Sequence, residues 1–285
     1  MTPSVRNCIA VAALLATCAA TLASAQQRRT EELMRKSGMW DQVAQMRQQM
    51  KAGIQEARRE ARSSNMPLLD DASYAKLSAA IDRAFASEVL RESVALHLEE
   101  FIAAEDENEV LNWLSSDLGG RFTRMEIAAG DIGESAKLAQ EGPKLLAALS
   151  RARLEKYQRL AASLDAGDTT AELTINMTGA IVYGIALVMP GTDADMAAKA
   201  IRQRMQAQRA QMARYFGDKA LQAYAYTYRS ATDSQLESYV KFAESAAARR
   251  YHAAGIKALD ATLSQSALAM GQELGVSLQE RRNQS

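Results

Sequence analysis

From Leu173 to Thr192 the chain reads LTINMTGAIVYGIALVMPGT, 20 residues without a charge in a protein whose residues are 24% charged. A helix of this kind must be covered, by lipid or by protein, and that requirement limits every fold open to the sequence. Only about 17 of its residues precede Pro190-Gly191, near the short limit for a bilayer span. Thr174, Asn176, Thr178, Gly179 and Gly184 interrupt it, and no Lys or Arg lies between Arg159 and Lys199 to define a positive side. The pattern therefore predicts a core helix apolar on all faces, and no stable membrane span once a leader is removed. Ala180 and Gly184, four apart, share a face and let a neighbouring helix approach closely. Met177, Ile181, Tyr183, Gly184 and Ile185 are the candidate lining of an apolar interface or ligand site on this helix.

The rest of the chain is rich in Ala, Leu, Arg, Glu, Gln and Met and holds only 4 Pro in 285 residues. That composition favours helix, and no segment alternates as a half-buried strand does. The expected class is all-α. Apolar positions Val43, Met46, Met50 and Ile54 recur at helical spacing in a helix over 40–62. Further helices are predicted over 71–85, 87–102, 105–114, 121–140, from Pro143 to about Asp165, and over 194–215, 221–228, 233–251 and 258–274. Gly119-Gly120 reads as an interruption and 279–285 as a frayed tail.

Residues 1–25 have the layout of a secretory leader: Arg6, an apolar core from Ile9 to Leu15, and the small residues Ala23-Ser24-Ala25 before the cleavage point. A periplasmic or secreted chain beginning at Gln26 is expected. A lipoprotein signal acylated at Cys18 is the weaker reading, because Thr17 stands where a smaller residue is usual. Cys8 and Cys18 both fall in the leader, so the remaining chain has no thiol for disulfides, thiolate metal sites or nucleophilic catalysis. Its charges are balanced, at 33 basic and 34 acidic residues after Arg6 is removed, which speaks against a nucleic-acid partner.

The chain also resembles itself. A shift of 127 places Leu33, Asp41, Met46, Met50 and Ile54 on Leu160, Asp168, Leu173, Met177 and Ile181. A shift of 129 then places Val110, Leu111 and Trp113 on Tyr239, Val240 and Phe242, Ser116 on Ser245, Arg121-Phe122 on Arg250-Tyr251, and Ile127 on Ile256. The apolar pattern thus predicts two tandem, similar multi-helix units, 26–150 and 151–278, packed into a bundle-like array. With its opening amphipathic helix TEELMRKSGMWDQVAQMRQQMKAG and the element WLSSDLGGRF, degraded to FAESAAARRY in the second copy, the chain resembles a family of exported bacterial all-helical proteins classed as a domain of unknown function. That family usually has Pro before its Gly, where Asp117 and Ala246 stand here. The resemblance implies an all-helical exported fold and no site.

Candidate chemistry is sparse. His97 and His252 have no metal-ligand spacing, and the acidic run 105–109 suits a helix start better than a calcium loop. The carboxylate pairs Asp165 with Asp168 and Asp193 with Asp195 fall at helix ends, where Asp caps. No cofactor motif is present. Tyr215, Tyr224, Tyr226, Tyr228, Tyr239 and Tyr251 crowd the second half, as packing anchors or as the lining of a ligand groove. These features predict a non-catalytic protein acting through a protein partner or self-association. The alternative is a carrier of an apolar ligand such as a lipid, in a cavity beside residues 173–189.

Overall fold

The computed structural model describes residues 28–63 and 71–284. The leader, Cys18, the cleavage point after Ala25 and the loop at 64–70 lie outside the described residues. A short helix α1 (28–36) is followed by α2 (Met39–Ser63), α3 (Asp71–Ala84), α4 (Ser87–Phe101), α5 (Ala104–Leu114), α6 (Asp117–Gly130) and α7 (Ile132–Ala147). The second half runs α8 (Arg151–Ser163), α9 (Ala166–Val188), α10 (Ala194–Gln206), α11 (Arg209–Thr227), α12 (Asp233–Ala243) and α13 (Ala246–Gln284). No strand occurs among the described residues. The fold is all-α.

Short polar side chains set the boundaries by accepting backbone N–H groups that the helix start leaves free. Ser116 accepts from Gly119, Asp131 from Gly133, Ser150 from Arg153 and Asp193 from Met196. Thr232 and Gln235 form a reciprocal capping box. These caps explain where the helices differ from the periodic reading. Gly119-Gly120 lies inside the first turn of α6, because the Ser116 cap starts that helix two residues earlier. Pro143 sits within α7, and the break falls at Ala148–Ser150. Residues 233–251 are divided by the Ser245 hydroxyl, which accepts from Ala248 N, and α13 then continues for 39 residues, through the 279–284 segment read as frayed.

Two apolar cores form, and neither belongs to one half. The first joins Leu33, Met34, Ile81, Leu90 and Leu98 of α1, α3 and α4 to Ala254, Ala258, Ala267 and Met270 of α13. The second joins Tyr157, Leu160, Leu236 and Val240 of α8 and α12 to Phe122 and Met125 of α6 and to Leu145 and Leu146 of α7. Each half therefore completes its core with the last helices of the other. Arg250 of α13 pairs with the nearly buried Asp106 near the start of α5 at 2.5 Å, while Arg121 of α6 donates to Ser230 O before α12 at 3.1 Å.

One helical stretch, Arg151–Val188, is long and apolar enough by length and composition to cross a membrane. It is interrupted at Leu164 and Asp165, and its second part, α9, is covered by α10, α11 and α13, leaving only Leu187 exposed between 171 and 188. The cover is closest at two backbone crossings. A methyl group on Gly184 would stand 2.3 Å from Leu268 O, and one on Gly271 would stand 2.3 Å from Ile181 O. Gly275 faces Ile185 in the same way. Small residues on both helices thus bring the two backbones together, and the apolar stripe of α9 loses its water along the contact.

Replacing Gly271 by Ala should cost about 1–3 kcal/mol, because backbone atoms on the facing helix must move. Gly53→Ala, on an open face of α2, should instead stabilise by about 0.5–1 kcal/mol. Urea midpoints of the two variants check the difference in sign.

Candidate functional site

A cavity of about 490 Å³ with a mixed apolar and polar lining lies between the two halves. Helices α5 and α12 contribute Val110, Trp113 and Leu114 from one side and Tyr239, Phe242 and Ala243 from the other. Helix α6 contributes Gly119, Phe122 and Thr123, and α13 contributes Ala248, Tyr251 and His252. Each residue of one set lies 129 positions from its counterpart in the other, in the register the sequence offset specifies. Trp113 and Phe242, one such pair, stack on each other with ring centroids 4.7 Å apart and planes within 9°. Ser37 and Leu164, 127 apart, line the same cavity at the helix junctions below it. Beside them stand Gly38 and Asp165, also 127 apart, both left-handed with φ of 77° and 45°. Asp165 is the only non-glycine with positive φ among the described residues, so both junctions turn through the left-handed region although only one has a glycine there.

The shell is paired, but its chemistry is not. Glu126 projects from α6, and the position 129 residues later is Gly255. Oε1 of Glu126 accepts hydrogen bonds from the hydroxyls of Tyr228 at 2.7 Å and Tyr239 at 2.6 Å. Those two rings flank Phe122, with centroids 5.4 and 4.3 Å from it. Among the described residues no Arg or Lys forms an ion pair with this carboxylate, and Oε2 accepts no hydrogen bond from any of them. Desolvation pushes the Glu126 carboxyl above its usual range, and the two tyrosine hydroxyls offset part of that rise. Burial likewise raises Tyr228 and Tyr239, and the adjacent carboxylate disfavours their ionised forms further. Both phenols stay protonated as donors.

Two other lining groups are held differently. Tyr251 is pushed up to about 12 by burial; its hydroxyl makes no hydrogen bond of normal geometry, although nearby Ser37 moderates the shift. Burial lowers the His252 pKa, and its Nε2 donates to Leu164 O at 2.7 Å, tying α13 to the junction of α8 and α9. His97 lies elsewhere, its Nδ1 within 2.9 Å of Ser93 O and 3.3 Å of Thr262 Oγ1. Among the described residues no three His, Cys, Asp or Glu side chains gather as metal ligands.

The residues singled out on the uncharged helix are not brought together at this cavity. Met177 and Ile181 pack against the first core, Gly184 meets α13, and Ile185 O lies against Gly275. Tyr183 faces a separate polar groove between α9 and α10, shared with Glu172, Lys199 and Arg202. No family model, no curated protein and no solved structure matches the chain.

An uncompensated carboxylate facing an apolar cavity stabilises the fold least when it is ionised. Glu126→Gln keeps the shape and an acceptor for the tyrosines while removing the charge. At pH 7 the ligand-free variant should melt above the wild type by roughly 2–4 °C, the response of a chain of this size to about 1 kcal/mol. Near pH 4 the difference should vanish. The sign follows from the raised folded pKa: stability is complete while Glu126 is protonated in both states, and is lost as pH rises from the unfolded pKa of about 4.3 through the folded one. Melting curves across that pH range check it.

Proposed function

We propose that the protein is an exported, non-catalytic binding protein, built from two copies of one helical unit, that holds a small, largely apolar or aromatic ligand in the cavity where the copies meet. The observation that carries the reading is that cavity: about 490 Å³, within the range of small-molecule sites, walled by aromatic rings from both halves and furnished with few polar groups. Aromatic walls with one or two aimed acceptors select a ligand by shape first and orient it by polarity second. The paired lining, the two left-handed junctions and the exchanged terminal helices support the two-copy organisation.

The carrier therefore holds its ligand at the seam rather than beside residues 173–189, where α13 already fills the small-residue groove. Helix α9 is read as a core helix and not as a span, since three helices of the same chain lie against it. Export rests on the leader-like residues 1–25.

The test is a titration of the purified chain with N-phenyl-1-naphthylamine, a neutral probe that fluoresces when it leaves water. One site per chain is expected. Ala129→Trp, which fills the cavity from its half-buried position on α6, should abolish the signal and leave the helical circular-dichroism spectrum unchanged. A wild type without a saturable site, or a filled variant that binds equally, would overturn the reading.

A further inference from the structure

Resting on that reading, the geometry points to the charge of the ligand: we infer that the seam cavity takes an organic ammonium ion, its N–H donated to Glu126 Oε2 and its apolar body against the aromatic wall. The argument begins with what Glu126 lacks. Its Oε1 is saturated by two phenol donors, while Oε2 has no donor and the carboxylate no cationic partner among the described residues. Buried carboxylates are ordinarily matched by Arg or Lys, because an unmatched charge in an apolar surround costs several kcal/mol. This chain follows that rule elsewhere, where the buried Asp106 meets Arg250 at 2.5 Å and the buried Glu107 meets Arg29 at 2.9 Å. Glu126 is the cavity-lining carboxylate that departs from it.

The surroundings suit a cation better than any other guest. Tyr228, Tyr239, Phe122 and Trp113 present ring systems to the same space, and the negative faces of such rings attract ammonium groups. The phenols donate toward Oε1, so their oxygens gain electron density as they do so. An anionic guest would meet Glu126 directly, and the lining offers no Arg or Lys to receive it. A neutral guest with an O–H could donate to Oε2 but would leave the carboxylate's charge without a counter-charge. A primary ammonium on a short aryl or alkyl chain satisfies both the acceptor and the wall.

The asymmetry of the seam supports the same conclusion. Six pairs of lining positions at the 129-residue offset preserve the shape of the cavity, yet the position matching Glu126 is Gly255, whose added methyl would meet Met39 at 3.1 Å. One carboxylate therefore faces one cavity, and a monocation is the complementary charge.

Isothermal titration of the full chain with phenethylammonium, 2-phenylethanol and phenylacetate separates the outcomes, since the three share a ring and differ in charge. Phenethylammonium should bind most tightly and phenylacetate most weakly. In Glu126→Gln the ammonium should lose about 30-fold or more in affinity, the lower range for breaking a buried charge pair, while 2-phenylethanol changes less than about 3-fold. Binding of the ammonium to the wild type should also strengthen as pH rises through the Glu126 titration. Tyr239→Phe, which keeps the carboxylate, should retain the preference for the cation if the Gln variant fails to fold. Equal binding of the ammonium and the alcohol by the wild type would overturn the charge assignment and leave the cavity reading standing. Absence of binding by all three, together with no naphthylamine site, would overturn both.

Discussion

The contact between α9 and α13 is the one on which the other packing depends. Two helices approach closely only where neither carries a side chain at the crossing, and here Gly184 meets the Leu268 carbonyl while Gly271 meets that of Ile181. The crossing removes one face of the uncharged stretch of α9 from water, and α10 and α11 lie against its other sides. It also sets the line of α13, which at 39 residues spans about 58 Å. From that position α13 reaches α3, α4 and α5 of the first half and closes a core that would otherwise present Leu90, Val94 and Leu98 to solvent.

The reciprocal contact is made by α6 and α7 against α8, α11 and α12, through Phe122, Met125, Leu145 and Leu146. Each half is therefore open where the other is complete. Where α5 meets α12, Trp113 stacks on Phe242, 129 positions later in the chain. The cavity lies where α5, α6, α12 and α13 come together.

Much of the architecture was legible in the residues. The absence of charge between 173 and 192, with Ala180 and Gly184 on one face, implied a covered helix, and both small residues are buried in the structure. The glycines that answer them were not legible, because Gly271 and Gly275 sit in an alanine-rich helix where small residues raise no contrast. Helix breaks at Ser245 and Ser150 were missed for a similar reason: a serine hydroxyl caps only once the backbone has turned, and the apolar period runs on through it. Glu126 was invisible as a site residue. Between Arg124 and Ile127 it reads as an ordinary surface carboxylate, and only the folded seam places it under two phenols. The crowding of tyrosines in the second half was the available signal, and it marked the wall of the cavity without its charge.

A pair of like units enclosing a space would, if it stayed symmetric, offer every polar group twice. Two carboxylates at equivalent positions near one axis would repel each other in a low-dielectric space, and one would remain protonated. The position 129 residues after Glu126 is Gly255, so that repulsion is absent. The cost of holding the carboxylate is met by the aromatic and aliphatic burial of the two cores on either side, which do not depend on the ligand. In the proposed binding protein, stability and recognition are carried by different residues: the apolar lining keeps the shell, and the one acid without a cationic partner gives it a polarity.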